Sequence, residues 1–328
     1  MSAPSPDPRW SATLAAAYAR ESSYLWGLGY RLTGSAAQAE DLVQETFVRA
    51  LRRPPADQAA PLRPWLRRVT TNLGIDALRE RQRRRYDGPW LPEPIDTSTL
   101  VDPDADVEDA SLRREGLTLA FMALLEVLSP QQRAVVVLRD IIGLSVAETA
   151  DALEVGESNV KVAHHRARLK LAGPCEPTTP TPEEVRRSRE LLEVLFAAIA
   201  VGDERRVLGL LDAEVRVTTD AGGVVRAARR VISGPLDVTR LLVGIARKGP
   251  PVLGVRHREV NCLPALDVDF APVDARTAGR IIVQGQVINQ HWQLSGILMF
   301  AAPAKVAAVD RPPWLRPLTP PPGLRDAG

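Results

Sequence analysis

Leu144-Ser-Val-Ala-Glu-Thr-Ala-Asp-Ala-Leu153, Glu154-Val-Gly-Glu157 and Ser158-Asn-Val-Lys-Val-Ala-His-His-Arg-Ala-Arg-Leu-Lys-Leu171 follow one another without a break and predict two short helices about an abrupt turn. Ser145 and Glu148 spell a capping box that starts the first helix. Ala147, Ala150 and Leu153 give it an apolar face, and Val160, Ala163, Ala167 and Leu171 do the same for the second. The rest of the second helix carries Lys161, His164, His165, Arg166, Arg168 and Lys170. Such a face suits a helix that enters the major groove of DNA. A basic face is also what a solvated helix of a larger bundle shows, so the surrounding sequence must decide.

Upstream of this pair, Ser129-Pro130-Gln131-Gln132 marks another helix start, and the chain reads as helical over 112–173. Residues 10–86 form an earlier helical region. There Ser35 with Gln38 opens a helix whose apolar positions Ala39, Leu42, Val43, Phe47, Ala50 and Leu51 recur at helical spacing. Its other face carries Glu40, Asp41, Gln44, Glu45 and Arg49. Pro54, Pro55, Pro61 and Pro64 punctuate a loop, and a strongly basic helix is expected from about Trp65 to Arg85. Between the helical regions lies a segment, 87–111, that reverses the sign. Asp87, Glu93, Asp96, Asp102, Asp104, Asp106, Glu108 and Asp109 stand in it with no Lys or Arg, and its prolines keep it extended.

Residues 174–182, rich in Pro and Thr, form a second linker. Over 183–310 the pattern changes to amphipathic helix (Glu183 to about Asp212), then short β-branched or alternating runs. These are Val215–Thr219, Val252–Leu263, Gly279–Val287 and Ile297–Phe300, read as strands of one curved sheet in an α+β domain. The proline-rich tail, 311–328, stands apart from any packed core.

The chain has 328 residues, a net charge of +2, 45% hydrophobic and 25% charged residues, so it is a multidomain globular protein of ordinary composition. No apolar run approaches the roughly 20 residues of a membrane span, and the first residues lack a signal peptide. A cytoplasmic location is therefore expected. Cys175 and Cys262 have no metal-ligand spacing, and neither metal nor cofactor is expected.

The order of parts (acidic-faced helix, proline loop, arginine-rich helix, acidic linker, helix-turn-helix) resembles the sigma-70 superfamily, in its small extracytoplasmic-function branch. The matching residues are Ala39-Glu-Asp-Leu-Val-Gln-Glu-Thr-Phe-Val-Arg-Ala-Leu51, Trp65-Leu-Arg-Arg-Val-Thr-Thr-Asn-Leu-Gly-Ile-Asp-Ala-Leu-Arg79 and Leu128-Ser-Pro-Gln-Gln-Arg133 onward to Leu171. The resemblance implies two all-α sigma domains, the second with the helix-turn-helix. Asp41, Gln44 and Glu45 would then face the β′ clamp of bacterial core RNA polymerase, and the second domain its β flap. Arg67, Asn72, Asp76, Arg79 and Arg83, with the loop from about Arg53 to Arg63, would meet the −10 element of promoter DNA. Ser158, Asn159, Lys161, His165 and Arg168 would meet the −35 element. By the same resemblance the acidic linker would thread the polymerase cleft where nascent RNA passes. The arginine helix has no row of exposed aromatics to stack opened bases, which implies dependence on a good promoter match. Glu154 departs from the family, which usually has Gly in this turn. If the position needs positive φ, Glu there costs about 1 kcal/mol.

A narrower resemblance joins Gly88-Pro-Trp-Leu-Pro-Glu-Pro94, Val217-Thr-Thr-Asp-Ala-Gly-Gly-Val-Val-Arg-Ala-Ala-Arg-Arg230 and Asn261-Cys-Leu-Pro264. It is to sigma factors with a fused SnoaL-like domain that adjusts activity in cis. The regulatory contacts it implies are Trp90, Leu91, Pro92, Asp220, Gly222 and Gly223. Two departures stand out: Asp220-Ala-Gly-Gly-Val224 replaces an Asp-Gly-Gly-Gly-Lys/Arg pattern, and Ala302-Pro-Ala-Lys-Val306 replaces Asn-Pro-Asp-Lys-Leu. Trp90-Leu91 between prolines also reads as a preformed apolar hook. Docked, it would fix the spacing of the two DNA-binding domains; released, it would let them separate. Alternatives remain open at this stage. One is a DNA-binding regulator that works without polymerase. Others are a C-terminal domain that senses a small-molecule ligand, or one that catalyses through Asp220, His257 and His291.

Overall fold

The protein is described by a computed structural model that covers residues 8–84, 86–98, 116–171, 180–287 and 292–310. The acidic residues Asp102–Asp109, Cys175, His291 and the tail from Arg311 lie outside these. The chain divides into two units, Met1–Arg84 with Leu124–Gly173, and Arg85–Ala123 with Pro174–Pro312.

The first unit is all helical. Helices α1 (Pro8–Thr33), α2 (Ala36–Arg52) and α3 (Leu62–Arg83) pack around Leu14, Leu25, Leu28, Tyr30, Leu32, Phe47 and Leu66, each essentially fully buried. Ser35 caps α2 by accepting from the Gln38 N–H. Pro64, expected in the loop, falls within the first turn of α3, where the missing N–H has no helical acceptor to lose. After α4 (Leu119–Leu124), which apart from Leu124 belongs to the second unit, the first unit resumes with a 3₁₀ turn, Leu125–Val127, and then α5 (Pro130–Val136), which runs into a π turn, Val137–Ile141. Helices α6 (Val146–Leu153) and α7 (Glu157–Lys170) complete this unit. The boxes at Ser129/Gln132 and Ser145/Glu148 form with both reciprocal bonds. One expected core position is wrong: Ala147 is exposed, and Thr149, Ala150, Ala152 and Leu153 form the buried side of α6. The helix is only about two turns long, so a small angular error moves a position at its start out of the interface.

The second unit is a six-stranded mixed sheet in the order β2-β1-β6-β5-β4-β3, with β1 parallel to β6 and the other neighbours antiparallel. Its strands are β1 (Leu211–Asp220), β2 (Ile232–Ser233), β3 (Val252–Val260), β4 (Leu263–Phe270), β5 (Arg280–Val287) and β6 (Leu294–Phe300). Helices α8 (Pro182–Val201), α9 (Glu204–Leu210) and α10 (Pro235–Lys248) join alternate strand residues such as Val217, Leu266, Val268, Ile297 and Met299 in one core. The intervening residues, Val260, Ala265, Ile282, Leu298 and Phe300, point the other way. There they meet Leu91, Leu119 and Val306 and Val309, of and just beyond α11 (Pro303–Ala308). The sheet is thus buried on both faces, one of them by part of the segment expected to be a spacer. The single run expected over Val252–Leu263 is in fact a hairpin end. Asn261 and Cys262 both adopt positive φ, 49° and 68°, as a two-residue hairpin turn requires. Cys is not a residue that signals such a turn, so β4 went unread.

Asp267, on β4, is fully buried and accepts from Arg256 at 3.0 Å, Arg258 at 2.7 Å and Arg280 at 2.7 Å. Burial alone would raise its pKa, but the hydrogen bonds from Arg280, Arg258 and Arg256 outweigh it and hold the carboxyl at about 2. A depressed folded pKa contributes stability above the unfolded value, near 4, that is lost as pH falls through the folded one. Urea unfolding should therefore show the second unit losing about 2–3 kcal/mol between pH 5 and pH 2 from this group. In Asp267→Asn that part of the pH dependence should vanish.

Candidate nucleic-acid and regulatory surfaces

Helix α7 presents Ser158, Asn159, Lys161, His165 and Arg168 on its exposed side, while Val160 and Ala167 are buried beneath. Lys161 lies 3.9 Å from Glu157, one turn back, a contact worth little on an exposed face. His164 is half-buried, with its Nε2 2.6 Å from Asp140 Oδ1. That ties it to the π turn and removes it from the reading face. Arg168 also reaches Asp140, at 3.5 Å. The turn before α7 is built on Glu154 at φ 54° and ψ 43°, so the departure from Gly is borne by a left-handed residue. Replacing Glu154 with Gly should stabilise the first unit by about 1 kcal/mol, read as a higher urea midpoint; an unchanged or lower midpoint would count against strain there.

On α2, Asp41 is exposed, Gln44 donates to the Tyr18 hydroxyl at 3.3 Å, and Glu45 pairs with Arg49 at 2.9 Å. On α3, Asp76, Arg79 and Arg83 are exposed and Asn72 is half-buried. Arg79 pairs with Asp76 at 3.0 Å, and Arg83 lies 3.7 Å from Glu80. Arg67 stands apart from this group. It is buried, with its Nε unpartnered, and it lies beside Tyr24, so its guanidinium is turned away from the helix's open face.

Sequence reasoning missed the acids that engage the basic helix. Arg68 of α3 donates to Asp151 of α6 at 2.6 Å and lies 3.9 Å from Glu154. Arg81 donates to Glu126 at 2.5 Å and to the Thr33 carbonyl at 2.5 Å. Glu126 also takes the buried Arg133, whose Nε donates to the Arg31 carbonyl at 3.1 Å. Desolvation lowers the Arg133 pKa, opposed by Glu126. Three acids of the later helices therefore occupy cations of the arginine-rich helix. No local sequence pattern could show this, since the partners are 83 and 45 residues apart.

In the second unit the regulatory residues converge on Asp220, which is completely buried at the end of β1. Its carboxylate accepts from the Tyr86 hydroxyl at 2.5 Å, the Leu91 N–H at 2.8 Å, Lys305 Nζ at 2.7 Å and the Gly222 N–H at 3.2 Å. Lys305 also donates to the Leu91 carbonyl and lies 4.4 Å from the centre of the Trp90 ring. Burial raises the Tyr86 pKa, reinforced by the Asp220 hydrogen bond and charge. Leu91 and Pro92 are buried. Gly222 and Gly223 both have positive φ, and a Cβ on Gly223 would meet the Asp87 carboxylate at 2.9 Å. With the two departures in place, the chain still has two positive-φ glycines beside Asp220 and a lysine bonded to its carboxylate. Gly222 and Gly223 stand where the backbone needs positive φ, and Lys305 is the side chain of the late motif that reaches the Asp220 carboxylate.

Asn261 holds the same segment further along. Its N–H and side-chain oxygen exchange hydrogen bonds with Ile95, each 2.9 Å, and its amide nitrogen donates to the Leu117 carbonyl at 2.7 Å. Thr97 adds bonds to Glu259 and accepts from the Cys262 N–H at 2.8 Å. Both flanks of the acidic stretch thus end on one side chain. Of the candidate catalytic residues, Asp220 and His257 are not brought together, and His291 lies outside the described residues. Asp220 is consumed by its four partners, and His257 is exposed on β3 near Glu193. Three strands separate β1 from β3, or roughly 19 Å at ordinary strand spacing.

A helix-turn-helix with an open basic face, a separate arginine-rich helix and an acidic-faced helix beside it define a promoter-recognising transcription factor of the sigma kind. The sequence matches Sigma-70 region 2 over residues 17–84 and Sigma-70 region 4 over residues 118–171. It is 36% identical over 238 residues to the extracytoplasmic-function RNA polymerase sigma factor SigJ of Mycobacterium tuberculosis, spanning 71% of this chain and 74% of that one. Against the probable sigma factor SigI of the same species it is 32% identical over 290 residues, 84% of this chain and 95% of the relative. The crystal structure of M. tuberculosis SigJ superposes with a TM-score of 0.71 at 29% identity. That match covers 90% of this chain, mixed sheet included, and 98% of the other. The chain belongs to the extracytoplasmic-function RNA polymerase sigma factors. Its sigma regions imply core RNA polymerase and promoter DNA as partners. Among the described residues no helix is long and apolar enough to cross a membrane.

Proposed function

We propose that this sigma factor binds core polymerase in the cytoplasm through Asp41, Gln44 and Glu45. In this reading Asn72, Asp76, Arg79 and Arg83 meet the −10 element, and Arg67 joins them only if its burial is relieved. Ser158, Asn159, Lys161, His165 and Arg168 meet the −35 element. The second unit acts as a regulator in cis rather than an enzyme, by holding the segment that joins the two sigma regions. The observation that carries this is the Asp220 cluster, which takes up Tyr86 and Leu91 of that segment. The docked hook keeps the connection between the sigma regions short, and its release gives them the reach to span a promoter.

The test is transcription in vitro from pooled genomic fragments with bacterial core polymerase. The full chain should give discrete start sites. Trp90→Ala/Leu91→Ala should change their yield several-fold without abolishing core binding, because Asp41, Gln44 and Glu45 lie on α2 and are untouched by the change. Start sites with unchanged yield in the variant would remove the regulatory part of the reading. Binding to duplex DNA by the chain alone, with no start sites, would favour a regulator independent of polymerase.

A further inference from the structure

Beside the Asp220 cluster the second unit has an open cleft of about 170 Å³, floored by Thr219, Ala221 and Val225 and rimmed by Arg226, Arg229 and Arg276. All three arginines are exposed, as is the neighbouring Arg230. The rim is a built frame. The Arg226 N–H donates to the Arg276 carbonyl at 2.7 Å, and its guanidinium pairs with Asp274 at 2.9 Å. Asp274 in turn accepts from the Arg276 N–H at 2.9 Å and the Thr277 hydroxyl at 2.8 Å. Arg276 is therefore fixed at its backbone, while its guanidinium has no partner among the described residues. Arg229 lies 4.0 Å from Asp87, beyond hydrogen-bond reach. Cations outnumber acids around an open concavity, and guanidinium forks match phosphate oxygens.

We propose that this cleft is a phosphate-binding site and that promoter DNA backbone fills it during initiation. Arg229 and Arg276 are the binding groups, Arg230 assists at the rim, and Arg226 positions Arg276. An extended anion suits the site better than a small one. The mouth is open, and the cations continue past the cleft to Arg230. The wall of the cleft also includes Asp87, four residues after the last residue of the arginine-rich helix in the sequence. Sequence-independent phosphate contacts of this kind would add affinity without adding base preference.

The inference rests on the sigma reading, and the experiment separates the two. Full-length protein with core polymerase is titrated onto a fragment that yields a start site, at salt from 50 to 200 mM. Arg229→Gln/Arg276→Gln should reduce the slope of log affinity against log salt by about 2, since each lost phosphate contact removes about 0.9. Over that salt range the double variant should lose about tenfold less affinity than the parent. The control, Arg205→Gln/Lys248→Gln, removes the same charge from exposed positions elsewhere on this unit and should leave the slope unaltered. Equal slopes for parent and Arg229/Arg276 variant, or an equal drop in the control, overturns the proposal while leaving the sigma function standing. Absence of any start site with the parent would instead strike the sigma reading. A melting shift with inorganic pyrophosphate that the double variant loses, without any slope change, would overturn DNA as the occupant and assign the cleft to a free phosphorylated compound.

Discussion

Asp220→Ala should cost the full-length protein about 3–5 kcal/mol, the usual penalty for stranding one member of a buried ion pair. The Lys305 side chain is only 10% exposed and would lose its buried carboxylate partner while keeping its contacts with the Leu91 carbonyl and the faces of Trp90 and Tyr86. The Tyr86 hydroxyl and the Leu91 N–H would lose their acceptors at the same time, each a further penalty of about 1 kcal/mol or more if water cannot reach it. Urea unfolding gives the number. Hydrogen exchange over Tyr86–Ser98 shows whether the segment leaves the sheet. The double variant Asp220→Ala/Lys305→Met should recover a large part of the loss, because no lone charge remains and the methionine fills the same volume. A single-variant cost below about 1 kcal/mol would mean that the cluster does not hold the segment. Transcription should move with the exchange: a variant that frees the segment should alter start-site yield as Trp90→Ala/Leu91→Ala does.

Much of this architecture was legible because its signals are local. The boxes at Ser129 and Ser145 fix two helix starts from residues three apart, and the spacing of Leu42, Val43, Phe47 and Ala50 fixes a buried face. The glycine pair at Gly222-Gly223 could be linked to regulation by resemblance, and the positive φ values supply the reason for it. What escaped was set by partners distant in sequence. The hairpin at Asn261-Cys262 lacks the Gly that normally marks such a turn, so the run read over Val252–Leu263 takes in β3 and the turn and stops where β4 begins. Helix α10 starts at Pro235 behind Gly234, with no side-chain cap to mark its beginning, and it lies between the expected strands, where the sequence reading places no helix. The segment after Tyr86 has the composition of a solvated spacer, acidic and rich in proline. Yet Leu91 and Ile95 are buried, and Asp96 reaches Arg258 at 3.2 Å. Composition reports whether a segment can form its own core, and it is silent on whether another domain offers one. Among the site residues, Arg67 shows the same limit. Its place in an arginine-rich helix gives no sign that it is buried beside Tyr24.

Glu126→Ala should open the first unit. Arg133 is almost wholly buried, one of its terminal nitrogens is already unpartnered, and Glu126 is its one carboxylate among the described residues. Removing that carboxylate leaves a buried guanidinium facing the Arg31 carbonyl alone. The expected loss is about 2–4 kcal/mol, below the upper range for a buried pair because Glu126 keeps 26% of its side chain in solvent. Arg81 would be released from the same acid, and with it the less exposed of the ion-pair ties between α3 and the later helices; Arg68–Asp151 is exposed and worth about 1 kcal/mol at most. The unit should therefore respond by separation as well as by lower stability. Paired fluorophores on α2 and α7 would report a longer and broader distance distribution in Glu126→Ala than in the parent. Glu126→Leu/Arg133→Met removes both charges and should stay closed, since apolar groups of similar size can replace a buried pair at little cost. If Glu126→Ala keeps both the parental distance and the parental urea midpoint, the Arg31 carbonyl suffices for Arg133, and packing alone holds these helices together. Opening in the single variant with closure in the double would instead make one glutamate the point at which the promoter-reading helix is released.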